Sequence, residues 1–130
     1  MFLFWFMLAS ILIVPVTMIL FGFLLKNNPP REINKAYGYR TALSSKNSDI
    51  WIFANKLCGR LWVKIGTSIL PFSVIFLLFF AKSSENVIGI VGCAIIVAQC
   101  LALVLTIPII EKRLKETFDE RGIRKKADEL

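Results

Sequence analysis

The stretch FLFWFMLASILIVPVTMILFGFLL, Phe2 to Leu25, contains no charged side chain. Two further uncharged runs follow, Ile65 to Ala81 and Val87 to Ile110. A helix rises about 1.5 Å per residue and a bilayer's hydrocarbon core is about 30 Å thick, so a span needs roughly 20 apolar residues, with about 17 as the floor. The first and third runs clear that length. The second reaches it when Leu61, Trp62 and Val63 extend it past Lys64, whose long stem carries its ammonium toward the headgroups. Hydrophobic residues make up 56% of the 130-residue chain, above the roughly 45–50% of soluble proteins. The reading is a single all-α membrane domain over residues 1–130, with spans at about 2–25, 62–81 and 87–110, a loop at 26–61 and a tail at 111–130.

Helix is the state that satisfies a lipid-exposed backbone from within, and none of the runs has the alternation of a barrel strand. A cleaved signal peptide is the competing reading of the first run. No Lys or Arg precedes it, it exceeds a signal core of about 7–15 residues, and no A-x-A site closes it, so retention is expected. From Lys26 to Lys64 the chain holds eight basic and two acidic residues, and after Ile110 seven basic and six acidic. The N-terminal stub has no basic side chain and the connector Lys82–Asn86 has only Lys82. The positive-inside rule then places the loop and the tail in the cytoplasm and the N-terminus outside, in a multi-pass membrane protein. Most of the net charge of +7 lies in the loop. Anionic lipid headgroups account for it without nucleic acid.

The chain has no His, and its three cysteines, Cys58, Cys93 and Cys100, form no C-x-x-C pair. No metal site or cofactor is expected, and structural packing is the expected role of all three thiols. Polar residues inside the spans are limited to Ser10, Thr17, Thr67, Ser68, Ser73, Gln99 and Thr106. The absence of a carboxylate or cation there disfavours an ion-coupled transporter. Gly89, Gly92, Ala94 and Ala98 make part of the third span slim, which suits close packing within the chain or a homo-oligomer contact. Pro15 and Pro71 are expected to kink their helices and Pro108 to shape the exit of the third. The closing Ala127-Asp128-Glu129-Leu130 is similar to an ER-retrieval tail, but that signal acts in the lumen, opposite to the side the charges indicate. From Glu111 onward a solvated helix is expected, broken near Gly122.

The loop divides in two. Asn27 to Lys46 contains Pro29, Pro30 and Gly38 without helical periodicity and reads as an irregular turn-rich segment. Asn47 or Ser48 is a good N-cap, with Asp49 favourable in the first turn. Ile50, Phe53, Ala54, Leu57, Cys58, Leu61 and Ile65 then recur at three- and four-residue steps, opposite a basic stripe of Lys56, Arg60 and Lys64. That pattern predicts an amphipathic helix on the membrane surface before the second span, its cations on lipid headgroups. Trp51 and Trp62 fall on one edge of it, where indole prefers the interface.

Pro29-Pro30, Asn34, Tyr37-Gly38-Tyr39-Arg40-Thr41, Ser44, Asn47, Trp51 and Ala54-Asn55-Lys56 form an ordered set across both halves. In this set the chain resembles the SdpI family of bacterial membrane proteins, whose hallmark is N-x-x-Y-G-Y-R-T followed by a Trp and an A-N-K-like run. The likeness covers roughly residues 29–59, with the flanking spans in matching places. The resemblance implies immunity to a secreted antimicrobial peptide of the SDP type and signalling through a cytoplasmic repressor held at the membrane. Better-known members carry an additional membrane half before this region, so an activity needing both halves would be absent here or restored by oligomerisation.

Physically the set reads as a docking feature. Gly38 permits a tight turn between two tyrosines. Arg40 has Glu32, Asp49 or a lipid phosphate as partners for its planar fork. Tyr37, Tyr39 and Trp51 offer aromatic faces with polar ends. Contact with a partner and simple fastening of the loop to the helix ends both fit these residues. Three classes follow: a non-enzymatic immunity or sensor protein, a structural or anionic-lipid-binding protein, and an enzyme built on Glu32, Asp49 or Arg40. The third lacks a nucleophile with an adjacent base.

Overall fold

The computed structural model of the chain describes residues 1–125. Helices α1 (Phe2–Asn27), α2 (Ser48–Phe79) and α3 (Glu85–Thr117) follow in order. Their 26, 32 and 33 residues correspond to lengths of about 39, 48 and 50 Å, against a hydrocarbon core of about 30 Å. All three are long and apolar enough to cross a membrane. No strand forms among the described residues beyond one isolated bridge pair, Phe118 and Arg124. The chain is therefore an all-helical, multi-pass membrane protein, as its uncharged runs predict. Ala127–Leu130, similar to a retrieval tail, lie outside the described residues.

One expected element takes a different form. The amphipathic stretch expected to lie on the membrane surface is the first part of α2, which runs without a break from Ser48 into the apolar span. Its apolar stripe finds protein to pack on: Ile50, Ala54 and Cys58 are buried, while Lys56, Arg60 and Lys64 stay exposed. Past Pro108, α3 continues to Thr117, the helical extension expected from Glu111 onward.

The chain divides into two compact units, residues 1–21 with 62–104, and residues 22–61 with 105 onward. In the first, Phe4, Ile11, Leu77, Ile88 and Ile95 form the core, with Met7, Leu8, Val91 and Ile96 packed against it. Outward-facing Ile90, 70% exposed, is surface that suits lipid, since lipid is as apolar as it is. Gln99 joins the three helices of this unit: its amide nitrogen donates to Ile11 O at 2.9 Å and to Ser73 Oγ at 3.0 Å. Cys93 and Cys100 are exposed on α3. Packing thus accounts for Cys58 and not for these two, because their side of the helix meets no neighbour within the unit.

In the second unit Leu25, Ile50, Trp51, Ala54, Cys58, Ile110, Leu114 and Phe118 are buried. After α3 the chain turns at Gly122, whose φ is +80°. Asp119 Oδ1 accepts from the backbone N–H groups of Arg121 and Ile123, at 2.9 and 3.0 Å, and closes that turn. These bonds, Ile123 foremost, hold the Asp119 carboxyl below its ordinary pKa. The expected break near Gly122 is present. The expectation of a merely solvated extension misses the inward face of Leu114 and Phe118.

Candidate functional site

The residues singled out in the sequence meet in the second unit. Asn47 caps α2: its Oδ1 accepts from Ile50 N at 2.9 Å, and its Nδ2 donates to Gly122 O at 2.7 Å. One turn on, Trp51 is fully buried and its indole N–H donates to Pro30 O at 2.7 Å. The expected interfacial placement of Trp51 is corrected by this contact, since the indole finds a carbonyl inside the protein and needs none from headgroups.

Asn55 is the hinge of the arrangement. It is buried, its Nδ2 donates to Trp51 O at 2.9 Å, and its Oδ1 accepts from Tyr39 N at 2.7 Å. Gly38 precedes that N–H with φ +110°. A Cβ there would stand 2.7 Å from Asn55 Oδ1, 3.2 Å from Pro30 Cγ and 3.3 Å from Trp51 Cζ2. Only glycine supplies both the backbone conformation and the space. Pro30, Gly38, Tyr39, Trp51 and Asn55 are thus one packed cluster.

The next residues reach α3. Tyr39 OH donates to Glu111 Oε1 at 2.7 Å, and Thr41 Oγ1 donates to the same oxygen at 2.6 Å. Burial first, then the hydrogen bond and charge of Glu111, push the Tyr39 phenol well above its ordinary pKa. Ser44, fully buried, donates its hydroxyl toward Tyr39 O at 3.1 Å and accepts from Thr41 N at 2.8 Å. Asn34 works locally: its Oδ1 accepts from the N–H groups of Ala36 and Tyr37, both at 2.9 Å, an Asx-type turn that sets up the motif.

Tyr37 and Arg40 stand apart from this frame, both exposed. Arg40 donates to Lys35 O and takes neither carboxylate expected for it. Asp49 is held instead by Arg124, with Nε to Oδ2 at 3.0 Å and Nη2 to Oδ1 at 2.9 Å. The Arg124 guanidinium also lies over Phe53 and Phe118, 5.4 and 5.3 Å from the ring centres. Glu111, Arg124 and Phe118 were not legible as site residues, because all three come from a tail more than 50 positions beyond the motif and carry no motif of their own. Beside the frame, residues 41–46 and 111–120 enclose an open hollow of about 490 Å³, bordered by Lys46, Lys115, Glu111 and Asp119. Among the described residues, no group of three or more His, Cys, Asp or Glu is placed to hold a metal.

A sequence profile of the SdpI/YfhL protein family matches residues 31–110. Among curated proteins the chain is similar to "Uncharacterized protein YfhL" of Bacillus subtilis (strain 168), 33% identical over 105 residues, or 81% of this chain and 86% of that protein. No solved structure matches.

Proposed function

The chain belongs to the SdpI/YfhL family, and from that premise we propose that it is a non-enzymatic membrane protein conferring immunity to, or sensing, a secreted antimicrobial peptide, with a cytoplasmic regulator as its second partner. The observation that carries the reading is the division of labour inside the motif. Its buried members, Pro30, Tyr39, Trp51 and Asn55, fix the loop, while Tyr37 and Arg40 are presented outward. A preformed surface of aromatic and guanidinium groups suits recognition, since little ordering remains to be done on binding. Glu111 is engaged by the Tyr39 and Thr41 hydroxyls, which fastens the outward-facing part of the motif to α3. The charge distribution supports an orientation with the loop and tail in the cytoplasm and the N-terminus outside.

Expression in a sensitive bacterium is expected to raise tolerance to an SDP-type peptide. Arg40→Ala is expected to remove that tolerance with the amount of protein in the membrane unchanged. Unaltered tolerance across a panel of such peptides would reject immunity.

A second reading rests on Lys56, Arg60 and Lys64, exposed in a row along α2. They suit anionic headgroups, at about 1 kcal/mol for each cation near the surface. If gripping lipid is the whole function, replacing any one of them weakens binding of the purified protein to anionic vesicles slightly and equally, and Arg40→Ala does no more.

A further inference from the structure

In the first unit a groove of about 280 Å³ opens between α2 and α3. Phe72 and Phe76 border it from α2, Ala94 and Ala98 from α3, and the buried Ser73 and Gln99 complete its lining. The slim run of α3 divides its work here. Gly92 is turned to α1, where a Cβ would come within 2.6 Å of Met7 Sδ, so its smallness serves packing inside the chain. Ala94 and Ala98, two and six residues further on, are exposed on the groove.

Gln99 is 3% exposed, and its Oε1 receives no hydrogen bond. The amide cannot reverse to relieve this, because its nitrogen faces the Ile11 carbonyl, itself an acceptor. Ser73 Oγ accepts from Gln99, which leaves the Ser73 proton for another acceptor. Ser10, Thr67 and Ser68, by contrast, donate to carbonyls of their own helices. One groove therefore holds an acceptor that lacks a donor and a hydroxyl with a proton to give. Gln99 lies midway along Val87–Ile110, where no bulk water competes for either.

We propose that this groove is the interface of a homodimer in which Ser73 of each copy donates to Gln99 Oε1 of the other. A two-fold axis places the same patch on both sides of the contact. A donor and its acceptor within one patch then satisfy each other twice, and the two alanines let the helices approach closely. A lipid tail fills the groove but brings no donor. The dimer is independent of the toxin reading.

The test uses the full-length chain in vesicles of neutral and anionic phospholipid. Two single-cysteine variants are compared: Ala98→Cys with Cys58, Cys93 and Cys100 replaced by Ala, and a variant keeping only Cys100. The two positions are about 200° apart around the helix. Oxidation is expected to link copies through position 98 and not through Cys100. By fluorescence energy transfer on lipid dilution, Ser73→Ala and Gln99→Leu should each weaken the dimer about 3- to 10-fold. Ala98→Phe, which fills the groove, should leave monomers of unchanged helix content. Monomer at every protein-to-lipid ratio overturns the proposal, as do equal linking at both positions, a complex with a different membrane protein in place of the dimer, or a dimer indifferent to both polar substitutions.

Discussion

Gly38 and Asn55 carry the motif between them. A side chain at Gly38 meets a forbidding φ of +110° and the Asn55 carboxamide at 2.7 Å. Gly38→Ala is expected to destabilise the protein by about 1–3 kcal/mol, read from thermal unfolding in detergent micelles. Asn55→Leu removes the acceptor of a buried N–H and should cost a similar amount, about 1–3 kcal/mol. Unchanged unfolding in both variants would mean that the loop is not fastened here. Tyr39→Phe loses the phenol-to-carboxylate hydrogen bond, for about 1.5 kcal/mol, the low end for bonds to charged groups because Glu111 is half-buried. The pH dependence follows from the raised pKa of Tyr39. Its contribution is whole below the ordinary tyrosine value of 10.0 and is lost as pH climbs from there through the folded value. Wild-type and Tyr39→Phe stabilities should converge in that alkaline range, and a constant gap would exclude the assignment.

At the scale of the element, α2 turns on how its first part is fastened. The cap was legible: Asn47 precedes an acidic first turn, and its side chain does accept the Ile50 N–H. Asn47→Ala also loses the bond to Gly122 O, so a loss of about 1–2 kcal/mol is expected on chemical denaturation. A surface helix, however, was the natural reading of the stripe from Ile50 to Ile65, because a three- and four-residue period states that one face avoids water without stating what covers it. The loop, the end of α1 and the turn after α3 meet that part of α2 here, through Pro30 and Tyr39, Leu25, and Phe118. The Asp49–Arg124 pair joins the same element to the returning tail, with both side chains about half exposed. Arg124→Ala should therefore cost less than about 1 kcal/mol, and the difference should shrink as salt is added. A salt-independent loss would point to the stacking on Phe53 and Phe118 as the main contribution.

For the whole molecule, the charge asymmetry predicts that Tyr37→Cys, in a chain otherwise without cysteine, is reached by a membrane-impermeant thiol reagent only from the cytoplasmic side. Labelling of intact cells from outside would reverse the topology.

Three membrane-crossing helices were decided by local sequence, because the absence of charge over some twenty residues leaves the backbone no alternative to helix in lipid. The turn-forming loop and the α2 cap were likewise local, residing in Pro29, Pro30, Gly38 and Asn47. Tertiary structure alone determined which motif residues face inward. Trp51 could reach a headgroup or the Pro30 carbonyl, and Arg40 could take Asp49 until Arg124 occupied it. Those outcomes depend on Glu111, Phe118 and Arg124 arriving from the far end of the chain. Hydrogen bonding at such separation follows from packing, and no spacing in the sequence records it.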